Sequence, residues 1–112
     1  MKNLKLLDKV TSLPAKQQIA LWVILKKFNK KGKVYFSVSD FADEMKKYLI
    51  SKDTESLGKI IGGVLSSLVR NGMIKQLTGG RDTIWTVDPE LQLHAREYTD
   101  AIFPVVTYWD NK

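Results

Sequence analysis

The chain has 112 residues, of which 44% are apolar and 27% are charged, a size and composition typical of one globular domain. It has no cysteine and one histidine, which excludes a disulfide framework and the usual zinc sites, and its longest apolar run of seven residues is too short to cross a membrane. The net charge of +6 favours an anionic partner such as nucleic acid.

The positive charge lies mainly in the first third of the chain. Residues 1–36 contain nine lysines and a single acidic residue, and residues 59–87 carry a net charge of +3. Residues 37–58 and 88–112 are net acidic. The alternative interpretation is that the lysines only keep a small protein soluble.

The first third of the chain predicts two helices and a strand. Apolar residues spaced one turn apart predict a short helix over residues 4–10. A longer apolar pattern predicts a second helix over residues 14–29, and the lysines at 26–31 suit the negative end of its dipole. Residues 33–38, KVYFSV, are rich in β-branched and aromatic side chains and predict a strand.

Two more helices follow. Ser39 is the expected N-cap of a helix whose apolar face covers residues 41–49. Residues 54–71 have the most regular helical period in the chain, although Gly62 and Gly63 interrupt it and each costs about 1 kcal/mol relative to alanine. A glycine lets another backbone approach closely, and the helical projection places Gly63 on the outer face and Gly62 at the edge of the buried stripe.

A hairpin and a final helix complete the chain. Two short apolar segments, residues 73–77 and 83–87, flank the loop TGGRD and predict a β-hairpin. After Pro89 the apolar spacing predicts another helix, which we expect Pro104 to end. Residues 105–112 then form an extended aromatic tail.

This order of elements resembles the winged helix-turn-helix superfamily. VSDFADEM (38–45) is similar to the second helix of that superfamily, and LGKIIGGVLSSLVRNGMIKQL (57–77) is similar to its recognition helix leading into the first wing strand. GGRDTIWTV (79–87) resembles the wing tip and the return strand. The resemblance covers residues 14–87, and MarR-type regulators are the nearest comparison because they also have helices flanking the winged core.

The resemblance implies a single domain of α+β class that is mainly helical, a winged helix-turn-helix built as helix, strand, helix, helix and hairpin. Residues 1–12 and 88–112 then form short flanking helices. It also implies that the third helix, residues 54–71, enters the DNA major groove while the wing at 78–83 reaches the backbone or minor groove. The function predicted is therefore sequence-dependent binding of double-stranded DNA by a transcription regulator.

Projection of the third helix at 100° per residue gives candidate contacts independently of the resemblance. Small polar and basic side chains occupy the face opposite the apolar stripe, and phosphates or base edges are suitable partners for them. Together with the wing, the predicted DNA-binding residues are Thr54, Ser56, Lys59, Gly63, Ser66, Ser67, Arg70, Lys75, Gly80 and Arg81. A plainly solvated helix face is compatible with the same pattern.

The two ends of the chain predict a homodimer. Both flanking segments are amphipathic, and a two-fold dimer would place two recognition helices one duplex turn apart. Alternatively, both segments fold back to cover their own small core. The predicted dimer residues are Leu4, Leu7, Val10, Leu91, Ala95, Tyr98, Ile102 and Phe103.

Other functional classes have weaker support in the sequence. Asp40, Asp43 and Glu44 suit the first turn of a helix, His94 is expected to be a solvated side chain, and TGGRD lacks the lysine of a phosphate-binding loop. We therefore predict no enzyme activity, cofactor, metal or membrane partner, and a cytoplasmic protein. The alternative function is a winged-helix module that binds protein within a replication or transcription assembly.

Overall fold

The computed structural model describes residues 4–48, 55–79 and 83–110. Within these ranges the chain is mainly helical with short antiparallel strands, which confirms the predicted α+β class. The helices are α1 Leu4–Thr11, α2 Ala15–Lys27, α3 Val38–Met45, α4 Glu55–Arg70, α5 Pro89–Leu93 and α6 Ala95–Asp110. The strands are β1 Asn29–Lys30, β2 Lys33–Val34, β3 Phe36–Ser37, β4 Ile74–Gln76 and β5 Ile84–Val87.

Helix α2 is the centre of the core. Every residue from 18 to 25 is buried, so this helix is covered on all sides rather than along one stripe. Helices α3, α4 and α6 pack against it, and α6 makes the most extensive contact. The long apolar run IALWVIL therefore serves as the internal helix around which the other elements assemble.

The C-terminal region differs from the prediction. Pro104 lies inside α6 and does not end it, so the extended tail expected at 105–112 is wrong for residues 105–110. The reason is tertiary packing, because Ile102 and Val106 on either side of the proline are both buried. Instead the helical region breaks earlier, at His94, whose φ of −115° and ψ of 36° separate α5 from α6.

The small sheet joins two distant parts of the sequence. Its strand order is β3-β5-β4, with Phe36 opposite Trp85 and Gln76 on the other side of the same tryptophan. This confirms the predicted hairpin. The predicted strand at 33–38 is instead divided at Tyr35 into β2 and β3, and β2 pairs with β1 in a separate two-stranded ribbon.

Two helix boundaries are set by local hydrogen bonds. The N-cap of α3 is Ser37 and not Ser39, because the Ser37 hydroxyl accepts a 3.2 Å hydrogen bond from the Asp40 backbone N–H. After α4, the backbone N–H of Met73 donates to the carbonyl of Leu68, and Gly72 has a φ of +74°. The predicted stop at Asn71-Gly72 is thus confirmed.

Candidate nucleic-acid interface

Helix α4 has one buried face and one exposed face. Ile61, Val64, Leu65 and Leu68 are buried against the core, as the apolar period predicts. Val69, which belongs to the same predicted stripe, is 42% exposed. The exposed face consists mainly of small and basic residues: Gly58, Lys59, Gly62, Gly63, Ser66 and Arg70.

The two adjacent glycines leave this face without side chains at the middle of α4. A Cβ atom built at Gly62 or Gly63 meets no described atom within 4 Å. The expected position of Gly62 at the edge of the buried stripe is therefore wrong, since both glycines are exposed. A partner backbone can approach the axis of α4 closely at this point.

The charged groups of the face lie near the two ends of α4. Lys59 and Arg70 are eleven residues apart, which corresponds to about 16 Å along the axis. The Arg70 guanidinium donates a 3.1 Å hydrogen bond to the Ser67 hydroxyl, which holds it along the helix. Lys75 is exposed on β4, directly after the turn that follows α4. Lys59 and Arg70 therefore lie on either side of the small central surface of α4.

An open groove separates the exposed face of α4 from the start of α2. Its volume is about 550 Å³, and Lys16 and Lys59 line it together with apolar side chains. The Oε1 atom of Gln17 is buried there without a described hydrogen-bond partner. The lining residues are Pro14, Ala15, Lys16, Gln17, Lys59, Ile60, Gly63, Val64 and Ser67. This groove could not be predicted from the sequence, because it joins residues more than forty positions apart.

The loop after β4 is closed at its base by strand β5. The backbone N–H of Leu77 donates to the carbonyl of Ile84 over 2.8 Å, and the N–H of Ile84 donates to the Thr78 hydroxyl over 3.1 Å. The predicted contacts Thr54, Gly80 and Arg81 lie outside the described residues. Ser56 lies in the first turn of α4.

The residues predicted for a dimer interface divide into two groups. Five of them, Val10, Leu91, Ala95, Tyr98 and Ile102, are buried in the core of the chain itself. Leu7 is half-buried, whereas Leu4 and Phe103 are 69% and 54% exposed. The terminal segments thus fold back on their own domain, and of the predicted set only Leu4, Phe103 and, in part, Leu7 remain on its surface.

The titratable groups of the C-terminal region form a small network. The His94 ring lies 3.3 Å from a carboxylate oxygen of Glu90 and 3.3 Å from one of Glu97, so it is half-buried between them rather than freely solvated. Burial raises the pKa of the Tyr98 phenol, and the nearby carboxylates of Glu90, Asp88 and Glu97 raise it further. Among the described residues, no group of three or more acidic, histidine or cysteine side chains could hold a metal ion.

Comparison of the chain with known protein families, curated proteins and solved structures found no match. In the described part of the chain, no helix is long and apolar enough to span a membrane.

Proposed function

We propose that the chain is a winged-helix protein that binds double-stranded DNA in a sequence-dependent manner, as a transcription regulator. Helix α4 is the proposed major-groove element and the loop at 78–83 is the proposed wing. The observation that carries the proposal is the exposed face of α4, on which two glycines and two serines lie between Lys59 and Arg70.

The order of elements supports the winged-helix assignment. The chain runs from α2 through β3, α3 and α4 into the hairpin β4–β5, and β3 pairs with β5 to complete a three-stranded sheet. This arrangement puts α4 immediately before the hairpin, with the hairpin loop joined to a sheet that packs beside it. A helix and a loop positioned in this way can contact adjacent grooves of one duplex.

The chemistry of the α4 face supports the choice of DNA. Duplex DNA has a dense row of phosphates, and Lys59 and Arg70 provide charges at the two ends of a surface that contains no acidic residue from 58 to 70. Arginine also binds guanine edges through two hydrogen bonds, and serine hydroxyls can pair with any base. The small side chains between them allow the helix to come close to the base edges.

Fluorescence anisotropy with a labelled random duplex over a range of salt concentrations tests the proposal. We expect affinity to fall steeply as salt rises, since each phosphate contact releases counterions. Lys59→Gln and Arg70→Gln should each weaken binding and reduce the salt slope by about 1, while Lys5→Gln on the exposed face of α1 serves as the matched control. Absent or salt-insensitive binding by the unmodified chain contradicts the proposal.

The groove beside α4 favours a second candidate, a module that binds protein. Its walls include Pro14, Ala15, Ile60 and Val64, an apolar lining suited to a peptide or helix. Ala15→Glu changes the groove without changing the outer face of α4, and Arg70→Gln does the reverse. A stoichiometric protein partner that is lost in Ala15→Glu but kept in Arg70→Gln, with no duplex binding at low salt, would establish this function instead.

A dimer remains part of the first proposal. Leu4 and Phe103 are the exposed apolar residues of the terminal helices α1 and α6 that the sequence assigned to the interface. A measurement of mass in solution, for the unmodified chain and for Phe103→Glu, tests it. We expect the substitution to convert a dimer into a monomer, and a monomeric parent would remove the dimer from the proposal.

A further inference from the structure

The ribbon formed by β1 and β2 has an unusual two-residue turn. Lys31 and Gly32 have φ angles of +54° and +81°, and positive angles at both central residues are typical of a type I′ hairpin turn. The side-chain oxygen of Asn29 accepts a 3.1 Å hydrogen bond from the Gly32 N–H and closes the turn. Asparagine, aspartate and glycine favour the first of these positions, so lysine at 31 opposes the local backbone preference.

Five lysines surround this turn. Lys30 lies directly opposite Lys33 in the ribbon, and like charges in that position destabilise a strand pair. All five side chains are exposed, and no ion pair joins any of them to a carboxylate of the described residues. They are Lys26, Lys27, Lys30, Lys31 and Lys33. We call residues 26–33, which comprise the last two residues of α2 and the ribbon as far as Lys33, the basic hairpin.

The basic hairpin is held firmly on the body of the domain. The backbone N–H of Val34 donates a 2.8 Å hydrogen bond to the side chain of Gln92, and the carbonyl of Val34 accepts one of 2.6 Å from the Thr86 hydroxyl. Val34 itself is fully buried, and the rings of Phe28 and Phe36 pack 5.9 Å apart across the base of the hairpin. The lysines are therefore presented on a fixed support.

The basic hairpin and the proposed wing lie at opposite ends of the sheet. Strand β3 is antiparallel to β5, with Phe36 opposite Trp85 and Ser37 opposite Ile84. The chain before β3 therefore lies towards the Thr86 and Val87 end of β5, whereas the 78–83 loop leads into the opposite end of β5 at Ile84. The hairpin is consequently a second basic surface, separate from the wing.

We propose that the basic hairpin binds the phosphate backbone of duplex DNA as a second contact surface, an inference that rests on the proposed function for the class of partner. Lysine acts as a compact point charge, so the contact is expected to be independent of base sequence. The repulsion between the facing lysines at 30 and 33 is relieved if an anion neutralises them in the bound state.

Duplex DNA suits this surface better than a lipid surface does. It offers one charge for about every 1.7 Å of its axis, a density that matches five cations within eight residues. A lipid surface is usually bound through apolar side chains that insert between headgroups, and residues 29–33 include none. Asp100 lines a depression together with Lys26 and Arg96, and its negative charge disfavours a polyanion there. The tip of the hairpin, and not its base, is therefore the expected contact.

The test compares two sets of three substitutions that remove the same charge. The hairpin set is Lys30→Gln, Lys31→Asn and Lys33→Gln, in which asparagine suits the positive φ and preserves the turn. The control set is Lys5→Gln, Lys9→Gln and Lys46→Gln on α1 and after α3, all exposed positions. We expect the hairpin set to reduce the salt slope of duplex binding by about 2 to 3 and the control set by less than about 1. Duplex should also protect Lys30, Lys31 and Lys33 from acetylation in a mass-spectrometric footprint.

The outcomes separate this inference from the proposed function. If Lys59→Gln and Arg70→Gln weaken binding while the hairpin set binds like the parent, the inference is overturned and the function stands. If only the hairpin set loses affinity, the inference stands and the role of α4 is wrong. The inference is also overturned if both three-residue sets lose the same affinity, or if the parent does not bind duplex. It is overturned as well if the hairpin lysines are needed for binding to phosphatidylserine vesicles but not for binding to duplex.

Discussion

The side chain of Gln92 in α5 accepts a 2.8 Å hydrogen bond from the backbone N–H of Val34, a residue 58 positions earlier in the chain. Val34 ends the β1–β2 ribbon and is fully buried. This single side chain therefore joins the ribbon to the C-terminal helices and satisfies a backbone group that the core removes from water.

Substitution of Gln92 should reveal the strength of that connection. We expect Gln92→Leu to lower the free energy of unfolding by about 1–2 kcal/mol, because the Val34 N–H loses its acceptor. Chemical denaturation measures the change. Gln76→Leu is the matched control, since that side chain is exposed and donates a local hydrogen bond to the carbonyl of Thr78, and its effect should stay within about 0.5 kcal/mol. Equal effects of the two changes would contradict the assignment.

The glycines of α4 should limit stability in the free protein. Gly62→Ala and Gly63→Ala add a methyl group that meets no described atom within 4 Å, and each should raise the free energy of unfolding by about 0.5–1 kcal/mol through helix propensity. Thermal unfolding gives the readout. A lower free energy of unfolding in either variant would show that the added methyl group collides with other atoms at that position.

A larger residue at the same place should affect binding instead. Gly63→Leu places a bulky side chain on the exposed face of α4, beside the groove between α4 and the start of α2. Because this side chain would keep DNA away from the helix, we expect weaker duplex binding with little change in the fold. Anisotropy at constant salt measures the affinity, and Val69→Ala, a change of an exposed α4 residue, is the control. Unchanged duplex affinity in Gly63→Leu would mean that no partner approaches α4 closely.

Tyr98 should make stability depend on alkaline pH. Its ring is fully buried and its hydroxyl has no described hydrogen-bond partner, so Tyr98→Phe should raise the free energy of unfolding by about 1 kcal/mol at neutral pH. Burial and three carboxylates raise the pKa of this phenol in the folded state, while the unfolded chain ionises near pH 10.

The sign of the pH effect follows from those two states. Above about pH 10 the unfolded chain has lost the Tyr98 proton while the folded chain keeps it, so stability falls as pH rises towards the raised folded pKa. Denaturation of the parent and of Tyr98→Phe between about pH 8 and 11 measures the effect. The free energy of unfolding of the variant should exceed that of the parent by an amount that grows with pH. Tyr35→Phe, at an exposed tyrosine, should show no such advantage. A constant difference across the range would contradict the prediction.

Pro104 should cost α6 part of its stability. A proline inside a helix lacks the N–H for the carbonyl four residues earlier, and its ring crowds that carbonyl. Because Pro104 is exposed, Pro104→Ala should raise the free energy of unfolding by about 1–2 kcal/mol, after allowance for the greater freedom of the unfolded chain. Pro89→Ala is the control, since proline is well tolerated at the first position of α5. A destabilised Pro104→Ala variant would show that the helix requires the proline.

Several features of the fold could be predicted from the sequence because they depend on local physics. The apolar period of residues 57–69 predicted α4, the Asn71-Gly72 pair predicted its end, and the Gly-rich loop predicted the β4–β5 hairpin. The projection also placed Lys59, Gly63, Ser66 and Arg70 on an exposed face. In each case spacing, turn chemistry and side-chain volume act between neighbours in the chain, so the pattern itself carries the information.

The remaining features were decided by contacts between distant residues. Proline alone favours the end of a helix at 104, yet Ile102 and Val106 are buried against the core and hold α6 in a helical path beyond it. KVYFSV has the composition of one strand, but Val34 bonds to Gln92 and Thr86, and the segment divides into two. The groove beside Gly63 likewise exists only because α2 and α4 meet, and the basic hairpin, although local in the chain, is fixed to the domain by the contacts of Val34 with Gln92 and Thr86. The sequence by itself determined most of the helical segments and the face of α4 that carries Lys59, Gly63, Ser66 and Arg70, because both depend on local spacing. Tertiary burial decided where the chain bends and which surfaces lie together.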